Sequence, residues 1–459
     1  MITDYRDAFF YHVYPLGFCG ALYRNGNAGR HDFYSEPTPT NRLQKLNDKW
    51  ISHLCEMGVN AIYFGPLFES TYHGYDTADY FWIDRRLGTN KDFVNLVSTL
   101  HNKNIRVIVD GVFNHVGRSF WAFKDVQQNR QNSPYKDWFY INFNSNSPFN
   151  DGFSYEGWEG CFDLVKLNLQ NPEVKKHLFD AARYWINEFG IDGIRFDVAY
   201  SLDKNFLREI SAVCRQERKD FWLLGEMIHG NYNDIANPTM LNSTTNYECY
   251  KGLYSSLNEE NYFEIAYALN RQFGANGIYK NLPLYNFADN HDTDRVASSV
   301  TENRRLFLLY ALLFSMPGIP SIYYGSEWGY HAKKSCGGDE AVRPEIDISK
   351  IQCEQPVQGL CDAITKFARL RQDHDSLRYG SYSELFVSNG QLAFLRSSAN
   401  EKLIVVLNLK PNSVNLNLRC NGMNGNAKDL LSGENCTIYN GNMPITIPSY
   451  WVRVLKANG

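Results

Sequence analysis

The chain lacks any run of about 18 uncharged apolar residues, the length that a membrane-spanning helix requires, so the sequence predicts no membrane span. Its first residues, MITDYRDAFFYHVYPLGF, show no basic segment followed by an apolar core and a small-residue cleavage site, which predicts no secretory signal. A basic excess is missing too. The formal net charge is −4, which argues against a nucleic acid or an anionic membrane surface as a partner.

Paired cysteines are also missing, since the ten cysteines are scattered singly from Cys19 to Cys436 without a CxxC motif. In a chain of 459 residues without a signal peptide, this pattern favours buried reduced thiols over a disulfide framework or a zinc site. The sequence therefore predicts a cytoplasmic protein. It contains no Gly-rich dinucleotide loop and no Walker phosphate loop, which disfavours a nucleotide-binding open sheet.

Short apolar runs alternate with helical patterns through the first three quarters of the chain. The runs cover residues 12–18, 60–66, 106–115, 193–199, 221–227, 246–249, 284–292 and 319–325. Continuous β-branched stretches such as IRVIV suit parallel strands that are covered on both faces. Eight strands alternating with helices predict an α/β protein with a (β/α)8 TIM barrel, rather than a doubly wound open sheet.

Two segments interrupt the alternation. Residues 116–166 form a long insertion after the third strand, rich in Asn, Trp, Phe and Tyr, and an insertion of this length is usually a lid or a small subdomain. After about Ser376 the pattern changes to short alternating strands with turns. We therefore predict a catalytic barrel over residues 1–115 and 167–375, an inserted subdomain over 116–166, and a C-terminal β-sandwich over 376–459.

Acidic, amide and imidazole side chains follow four of the predicted strands. They are Asp110, Asn114 and His115 after the third, Arg195 and Asp197 on the fourth, Glu226 after the fifth, and Asp289, His291 and Asp292 after the seventh. In a barrel these strand ends meet at one mouth, the face that carries catalysis. One such residue alone is more often structural, but burying so many ionisable groups together is costly unless they have a function.

Three carboxylates without an obvious thiol or serine nucleophile favour glycosidic bond cleavage, which needs one carboxylate and one carboxylic acid beside the bond. Arg195 and Asp197 lie on the same side of their strand, so the arginine keeps the aspartate ionised, as a nucleophile requires. Glu226 follows the apolar FWLL, whose environment raises its pKa and suits a general acid. Carboxyl groups about 5–5.5 Å apart would retain the anomeric configuration.

The segments DGVFNH (110–115), GIRFDVA (193–199), GE (225–226) and FADNHD (287–292) occur in an order and at a spacing that resemble the alpha-amylase family, glycoside hydrolase family 13. HGYDTADY (73–80), KLNLQNPEV (166–174) and GIPSIYYGSEWG (318–329) extend the resemblance over nearly the whole chain. The resemblance implies that the insertion is the family's domain B and that the tail is its domain C.

The resemblance also implies roles for individual residues. It makes Asp197 the nucleophile, Glu226 the acid/base, and Asp292 the third carboxylate, which holds sugar hydroxyls and favours ring distortion. It further implies that Arg195 orients the nucleophile, His115 and His291 contact the glucose at the cleaved bond, Tyr75 is the platform under that ring, Asp339 and Arg343 form a further sugar-binding pair, and Asp110 is a structural partner of Arg195.

The sequence departs from the family pattern after the nucleophile. Many alpha-amylases carry Lys-His at the positions of Tyr200 and Ser201, and the carbonyl group of that histidine helps to hold calcium. Asn114 remains as a possible calcium ligand, but its partners are not identifiable. We therefore predict no cofactor, and the sequence leaves a calcium ion open.

The leading hypothesis is a retaining hydrolase of α-1,4-glucosidic bonds that acts on maltodextrins or starch-derived oligosaccharides through a covalent glycosyl-enzyme intermediate. A 4-α-glucanotransferase would use the same residues and pass the intermediate to a sugar hydroxyl. A barrel without catalysis that serves as a binding or chaperone subunit is a third interpretation, and a metal-dependent barrel hydrolase is a fourth. The sequence leaves open the substrate length, endo or exo action, and whether the protein is a monomer or a homodimer.

Overall fold

The computed structural model describes residues 1–22, 24–25, 41–46, 48–335 and 338–457. Within these residues, eight parallel strands form one sheet. They are β1 (Phe10–Val13), β2 (Ala61–Phe64), β3 (Arg106–Gly111), β4 (Gly193–Phe196), β5 (Trp222–Gly225), β6 (Ser243–Thr244), β7 (Tyr285–Phe287) and β8 (Ile319–Tyr323). The sheet runs from β6 through β1 to β8 and β7, and a parallel bridge between Thr245 and Tyr285 closes the ring. The predicted (β/α)8 barrel is confirmed.

Helices surround the barrel. In the described part of the chain, those of ten or more residues are Asp48–Met57, Asn90–Asn102, Pro172–Tyr184, Lys204–Glu217, Tyr247–Asn258, Phe263–Phe273, Arg304–Ser315 and Leu360–Asp373. Short polar side chains begin several of them. Asn171 accepts hydrogen bonds from two backbone N–H groups and is followed by Pro172, and Asp203 caps the next helix in the same way.

Two strands differ from the sequence prediction. The first strand ends at Val13 rather than at residue 18, because Pro15 has no N–H for the sheet and begins a one-turn helix. The sixth strand is Ser243–Thr244, so the prediction of a strand at 246–249 was wrong. Asn246 instead caps the helix Tyr247–Asn258 by accepting a hydrogen bond from the backbone N–H of Cys249.

The insertion after β3 contains its own small sheets. His115–Gly117 pairs with Cys161–Lys166 in antiparallel fashion, and Cys161–Lys166 also pairs with Gly157–Trp158. Helix Trp121–Asn129 follows the first of these strands, and a second strand pair joins Ile141–Asn142 to Ser154–Tyr155. Several of the aromatic residues noted in the sequence form its interior. The ring of Phe123 makes edge contacts with those of Phe139 and Tyr155, at centroid distances of 5.3 and 4.9 Å.

The C-terminal region is all β, as predicted. Its strands in the described residues are Ser381–Val387, Gln391–Ser397, Lys402–Asn408, Val414–Arg419, Gly425–Asp429, Asn435–Ile438, Asn442–Ile447 and Trp451–Ala457, and they form a six-stranded and a two-stranded antiparallel sheet. Alternation along Lys402–Asn408 sends Leu403 and Val405 to the core shared with the barrel, and Ile404 and Val406 to a second core beneath the small sheet. The limits of the three domains remain predictions.

The cysteines differ in part from expectation. All nine in the described residues are free thiols, and Cys336 lies outside those residues. Cys55, Cys161 and Cys353 are exposed, so the prediction of buried thiols was wrong for these three, whose side chains face solvent rather than a core. None of the described helices is long and apolar enough to cross a membrane.

Candidate active site

Three strands end in a carboxylate at the mouth of the barrel. The sheet ladder continues one residue beyond β4 and β5, because Asp197 N donates to Gly111 O and Glu226 N donates to Phe196 O. This pairing fixes both residues at the carboxyl ends of the strands. Asp292 follows β7 and faces the same space. All three carboxylates line one cavity of about 530 Å³.

One guanidinium joins the first two carboxylates. Arg195 Nη1 lies 2.9 Å from Asp197 Oδ1, and its Nη2 lies 2.7 Å from Glu226 Oε1. Nη1 also donates to both oxygens of Asp110, at 2.8 and 2.9 Å. Arg195 and Asp110 sit side by side in the register of β4 and β3, which explains this pairing. The arginine therefore orients both carboxylates at the cavity from beneath.

A hydrogen-bonded layer lies under the cavity. Asp110 Oδ2 accepts from the hydroxyls of Tyr63 and Tyr75, at 2.9 and 3.1 Å. The Tyr75 hydroxyl also bonds His291 Nε2, and the two rings stack with centroids 5.4 Å apart. Tyr75 is thereby held with its ring at the cavity wall.

The third carboxylate has its own cationic partners. Asp292 Oδ2 lies 2.9 Å from His291 Nε2, and Asp292 Oδ1 accepts from Arg343 Nη2 at 2.9 Å. The same nitrogen of Arg343 binds Asp339 at 2.8 Å. Lys334 extends the cluster by pairing with Asp339 Oδ1 at 2.9 Å. This end of the cavity therefore alternates acid and base.

Burial has the largest effect on the pKa values of Asp197 and Glu226. It raises the pKa of Asp197 well above its ordinary range, and Arg195 opposes this shift. Burial also raises the pKa of Glu226, again against Arg195. Arg195 favours the ionised form of Asp197, while desolvation and the neighbouring carboxylates favour the protonated form. The two groups lie close enough to titrate as a pair.

The pKa values of Asp292, His115 and His73 shift downward. Burial would raise the pKa of Asp292, but His291 and Arg343 hold it well below its usual range. Burial lowers the pKa of His115 to about 3 and that of His73 to about 4. Both imidazoles are therefore neutral at pH 7, and His115 Nε2 lies 4.0 Å from Asp197 Oδ2.

The backbone is strained directly after Asp197. Val198 has a φ of 39°, in the left-handed region that β-branched residues avoid. This conformation points its N–H at Glu226 Oε2, which accepts it at 2.9 Å. Strained residues of this kind cluster at functional sites, where the surrounding fold holds them.

The residues predicted from the sequence fall into two layers. Tyr75, His115, Asp197, Glu226, Asp292, Asp339 and Arg343 line the cavity, and Arg195, His291 and Asp110 lie directly behind them. The sequence reasoning did not assign Trp158, Tyr200, Ile228, Tyr247 and Lys334, which also line it. Only two of these carried a signal, Trp158 in the aromatic-rich insertion and Tyr200 as a departure from the family pattern.

The side chain of Asn114, the possible calcium ligand, faces its neighbour His115. The side-chain amide of Asn114 lies 3.2 Å from His115 Nδ1. Among the described residues, no group of three or more His, Cys, Asp or Glu side chains is arranged to hold a metal ion.

The chain matches the family model of the alpha-amylase catalytic domain over residues 42–378. It belongs to the alpha-amylase family. A second model, the maltogenic amylase C-terminal domain, matches residues 382–454. The protein is thus a glycosidase of this family, with the family's catalytic and C-terminal regions in sequence.

Individual relatives agree with this assignment. A cyclomaltodextrinase from a Bacillus species is 33% identical over 425 residues, which cover 88% of this chain and 73% of the relative. An intracellular maltogenic amylase from Bacillus subtilis is 35% identical over 375 residues, covering 79% of this chain and 60% of the relative. A solved structure of a cyclomaltodextrinase superposes with a TM-score of 0.86 at 29% identity, covering 99% of this chain and 78% of that one.

Proposed function

We propose that this alpha-amylase-family protein hydrolyses α-1,4-glucosidic bonds in short maltodextrins, with retention of the anomeric configuration. The observation that carries the proposal is the convergence of Asp197, Glu226 and Asp292 on one cavity. Retaining glycosidases need a carboxylate nucleophile and a carboxylic acid beside the same bond. The names of the relatives, a cyclomaltodextrinase and a maltogenic amylase, support the α-glucan substrate.

In the first step the ionised Asp197 attacks the anomeric carbon while Glu226 gives its proton to the leaving oxygen. The raised pKa values favour a proton shared by the pair, because two neighbouring buried carboxyls resist holding two negative charges. We place that proton on Glu226. In the second step Glu226 takes a proton from water, whose oxygen displaces Asp197 from the sugar.

Asp292 acts on the sugar rather than on the bond. Its lowered pKa keeps it ionised, so it accepts hydrogen bonds from two sugar hydroxyls and stabilises the distorted ring. Neutral His115 and the stacked ring of Tyr75 bound the space where that sugar sits. Arg343 and Asp339 hold the next sugar, since both line the cavity beside Asp292.

Short substrates are supported by the shape of the cavity. Its volume of about 530 Å³ suits a few sugar rings, and Arg343 together with Lys334 lies along one side. We also propose a cytoplasmic location, which is supported by the relative named as an intracellular maltogenic amylase.

The decisive experiment follows the products of maltotriose by proton NMR during the first turnovers. Hydrolysis with retention gives α-anomers first and no oligomer longer than the substrate. Early appearance of longer oligomers would show transfer to a sugar acceptor, and β-anomers first would contradict the double-displacement mechanism.

A trapping experiment assigns the nucleophile. Glu226→Gln lacks the acid/base, so α-maltosyl fluoride, whose leaving group needs no proton, should glycosylate Asp197 faster than water releases it. Mass spectrometry of peptides from the quenched protein should place a maltosyl group on the peptide that contains Asp197. The double variant that also carries Asp197→Asn is the matched control and should remain unlabelled.

A further inference from the structure

A second pocket lies at the floor of the barrel, the end at which the strands begin. Its volume is about 390 Å³, and it opens beside the starts of β7, β8 and β1. Residues that precede these strands, such as Arg6 and Gly318, form one wall. Arg378 and Arg396, from the C-terminal quarter of the chain, form the other. We call it the barrel-floor pocket.

Positive charge is in excess around the barrel-floor pocket. Arg6, Lys280, Arg378 and Arg396 line it, and Arg371 donates to the carbonyl oxygen of Gly318 in its wall. Arg6 pairs with Asp4 at 2.5 Å and Arg378 pairs with Asp7 at 2.7 Å. In the described part of the chain, Lys280, Arg371 and Arg396 have no carboxylate partner. This excess contrasts with the net charge of −4 of the whole chain.

Two of these arginines are almost fully buried, at 1% exposure for Arg396 and 2% for Arg371. Their Nη atoms donate to backbone carbonyls, which include Ser315 O at the end of helix Arg304–Ser315 and Leu377 O. Their Nε atoms have no hydrogen-bond partner. A helix C-terminus supplies only about half a negative charge, so carbonyl contacts leave two buried guanidiniums without full compensation.

The titration of these groups reflects the same imbalance. Burial, and then the charge of Arg378, lower the pKa of Arg371 to about 9. Burial and Arg371 lower the pKa of Arg396 well below its ordinary range. Arginine is normally charged at every accessible pH, so such shifts mark a strongly unfavourable cationic cluster. An anion in the pocket would relieve it.

We propose that the barrel-floor pocket binds a small oxyanion with two negative charges, namely phosphate or a phosphate monoester. Guanidinium groups match the geometry of phosphate oxygens, and the pocket is lined by four cationic side chains, Arg6, Lys280, Arg378 and Arg396. The volume exceeds that of one phosphate ion, and Asn281 and Tyr379 add polar groups that suit an attached hydroxylated moiety. The site lies at the opposite end of the barrel from the carboxylates.

Calorimetric titration of the full chain tests the proposal with two probes, inorganic phosphate and glucose 6-phosphate. Sodium chloride at equal ionic strength is the control, because any added salt screens a cluster of positive charges without occupying a specific site. We expect saturable binding of a probe and none of chloride. Equal affinities would identify the free ion as the ligand, and tighter binding of the ester would identify a phosphate monoester.

Charge-reversal variants locate the binding. Lys280→Glu alters an exposed side chain of the pocket and should weaken binding at least tenfold, while Lys428→Glu, exposed on the C-terminal sheet, should not. Arg396→Met should abolish binding, with circular dichroism to check that it folds. Absence of saturable binding of both probes to the wild type, or equal affinities of the two lysine variants, would overturn the proposal. These results do not depend on the cleavage of α-glucans.

Discussion

The two ends of β4 carry buried aspartates in opposite situations. At the floor, Asp192 precedes the strand and is completely buried. Its oxygens accept from Arg106, Arg218 and His101, at 3.1, 2.7 and 2.8 Å, and from the N–H of Val107 at 2.7 Å. Every direction in which a carboxylate can accept a hydrogen bond is used.

At the mouth, Asp197 follows the same strand and accepts one side-chain hydrogen bond, from Arg195. The titrations differ accordingly. Burial raises the pKa of both groups, but the partners of Asp192 reverse the shift and hold its pKa below the ordinary range, whereas the pKa of Asp197 stays well above it. Burial of charge alone therefore does not mark a site. A buried carboxyl that faces a cavity and has few hydrogen-bonding or positively charged partners does mark one.

The largest expected effect comes from Asp197→Asn. The amide cannot form the glycosyl ester, so kcat on maltotriose should fall by about 10⁴- to 10⁶-fold, as for the loss of other catalytic nucleophiles. Product formation measured over hours by chromatography gives the rate. Retention of more than a few per cent of the activity would show that another group attacks the sugar.

The same variant should be more stable than the wild type at pH 7. A carboxyl whose pKa is raised by folding binds its proton more tightly in the folded state, so it destabilises that state as the pH rises above the unfolded pKa of about 3.9. Asparagine removes this penalty, and the urea midpoint should rise by the equivalent of about 1–2 kcal/mol. The gain should disappear near pH 4. A loss of stability at pH 7 would contradict the view that Asp197 has too few partners to offset the cost of burying its charge.

The next effect in size is that of Glu226→Gln. Loss of a general acid costs about 10²- to 10⁴-fold, so kcat on maltotriose should fall by that factor. The first step on α-maltosyl fluoride should be spared, because fluoride leaves without a proton.

The pH profile gives a second measurement for Glu226. The wild type needs this group protonated, so kcat/KM should fall as the pH rises through its raised pKa. In Glu226→Gln this alkaline limb should be absent from the residual kcat/KM for maltotriose, whose leaving group does need a proton. Persistence of the limb in Glu226→Gln would assign the acid to another residue.

At the floor, Asp192→Asn should affect stability and not catalysis. Removing Asp192 from this buried ionic cluster leaves Arg106 and Arg218 with only the half-exposed Asp220 as a carboxylate partner, which costs about 3–5 kcal/mol. Denaturant unfolding should show the loss, while kcat per folded molecule stays within twofold. A catalytic defect at temperatures where the variant is folded would break the contrast between the two ends.

Of the two ends of the barrel, only the residues at the mouth could be predicted from the sequence. The residues at the strand ends, such as Asp197 and Glu226, could be predicted because a barrel brings the ends of parallel strands to one face. The barrel itself could be predicted from the alternation of apolar runs and helical patterns. The sixth strand could not be placed, because a strand of two residues is too short to show an alternation of apolar and polar residues. Asn246, predicted to lie in that strand, instead begins the following helix as its cap.

The electrostatic balance was not predictable from local sequence. Arg195 suggested an ionised Asp197, but the net shift depends on burial and on Glu226 and Asp292, which are distant in the chain. The same holds for Lys334, which lies in a loop without a pattern and joins the site only through the fold. Spacing identifies which residues meet, whereas their desolvation requires the coordinates.

The smallest expected effect tests the solvent-exposed edge of the mouth. Lys334 pairs with Asp339 and donates to the carbonyl oxygen of Asp292, but its side chain is 42% exposed, so water screens both contacts. Lys334→Ala should therefore raise KM for maltotriose by no more than about fivefold, the equivalent of 1 kcal/mol or less, with kcat unchanged. The effect should shrink further in 0.5 M sodium chloride, since mobile ions screen exposed pairs. A salt-independent loss of kcat would instead mean that Lys334 acts on the reacting sugar. Lys334 would then belong with the carboxylates at the centre of the cavity and not with the solvent-exposed ion pairs at its edge.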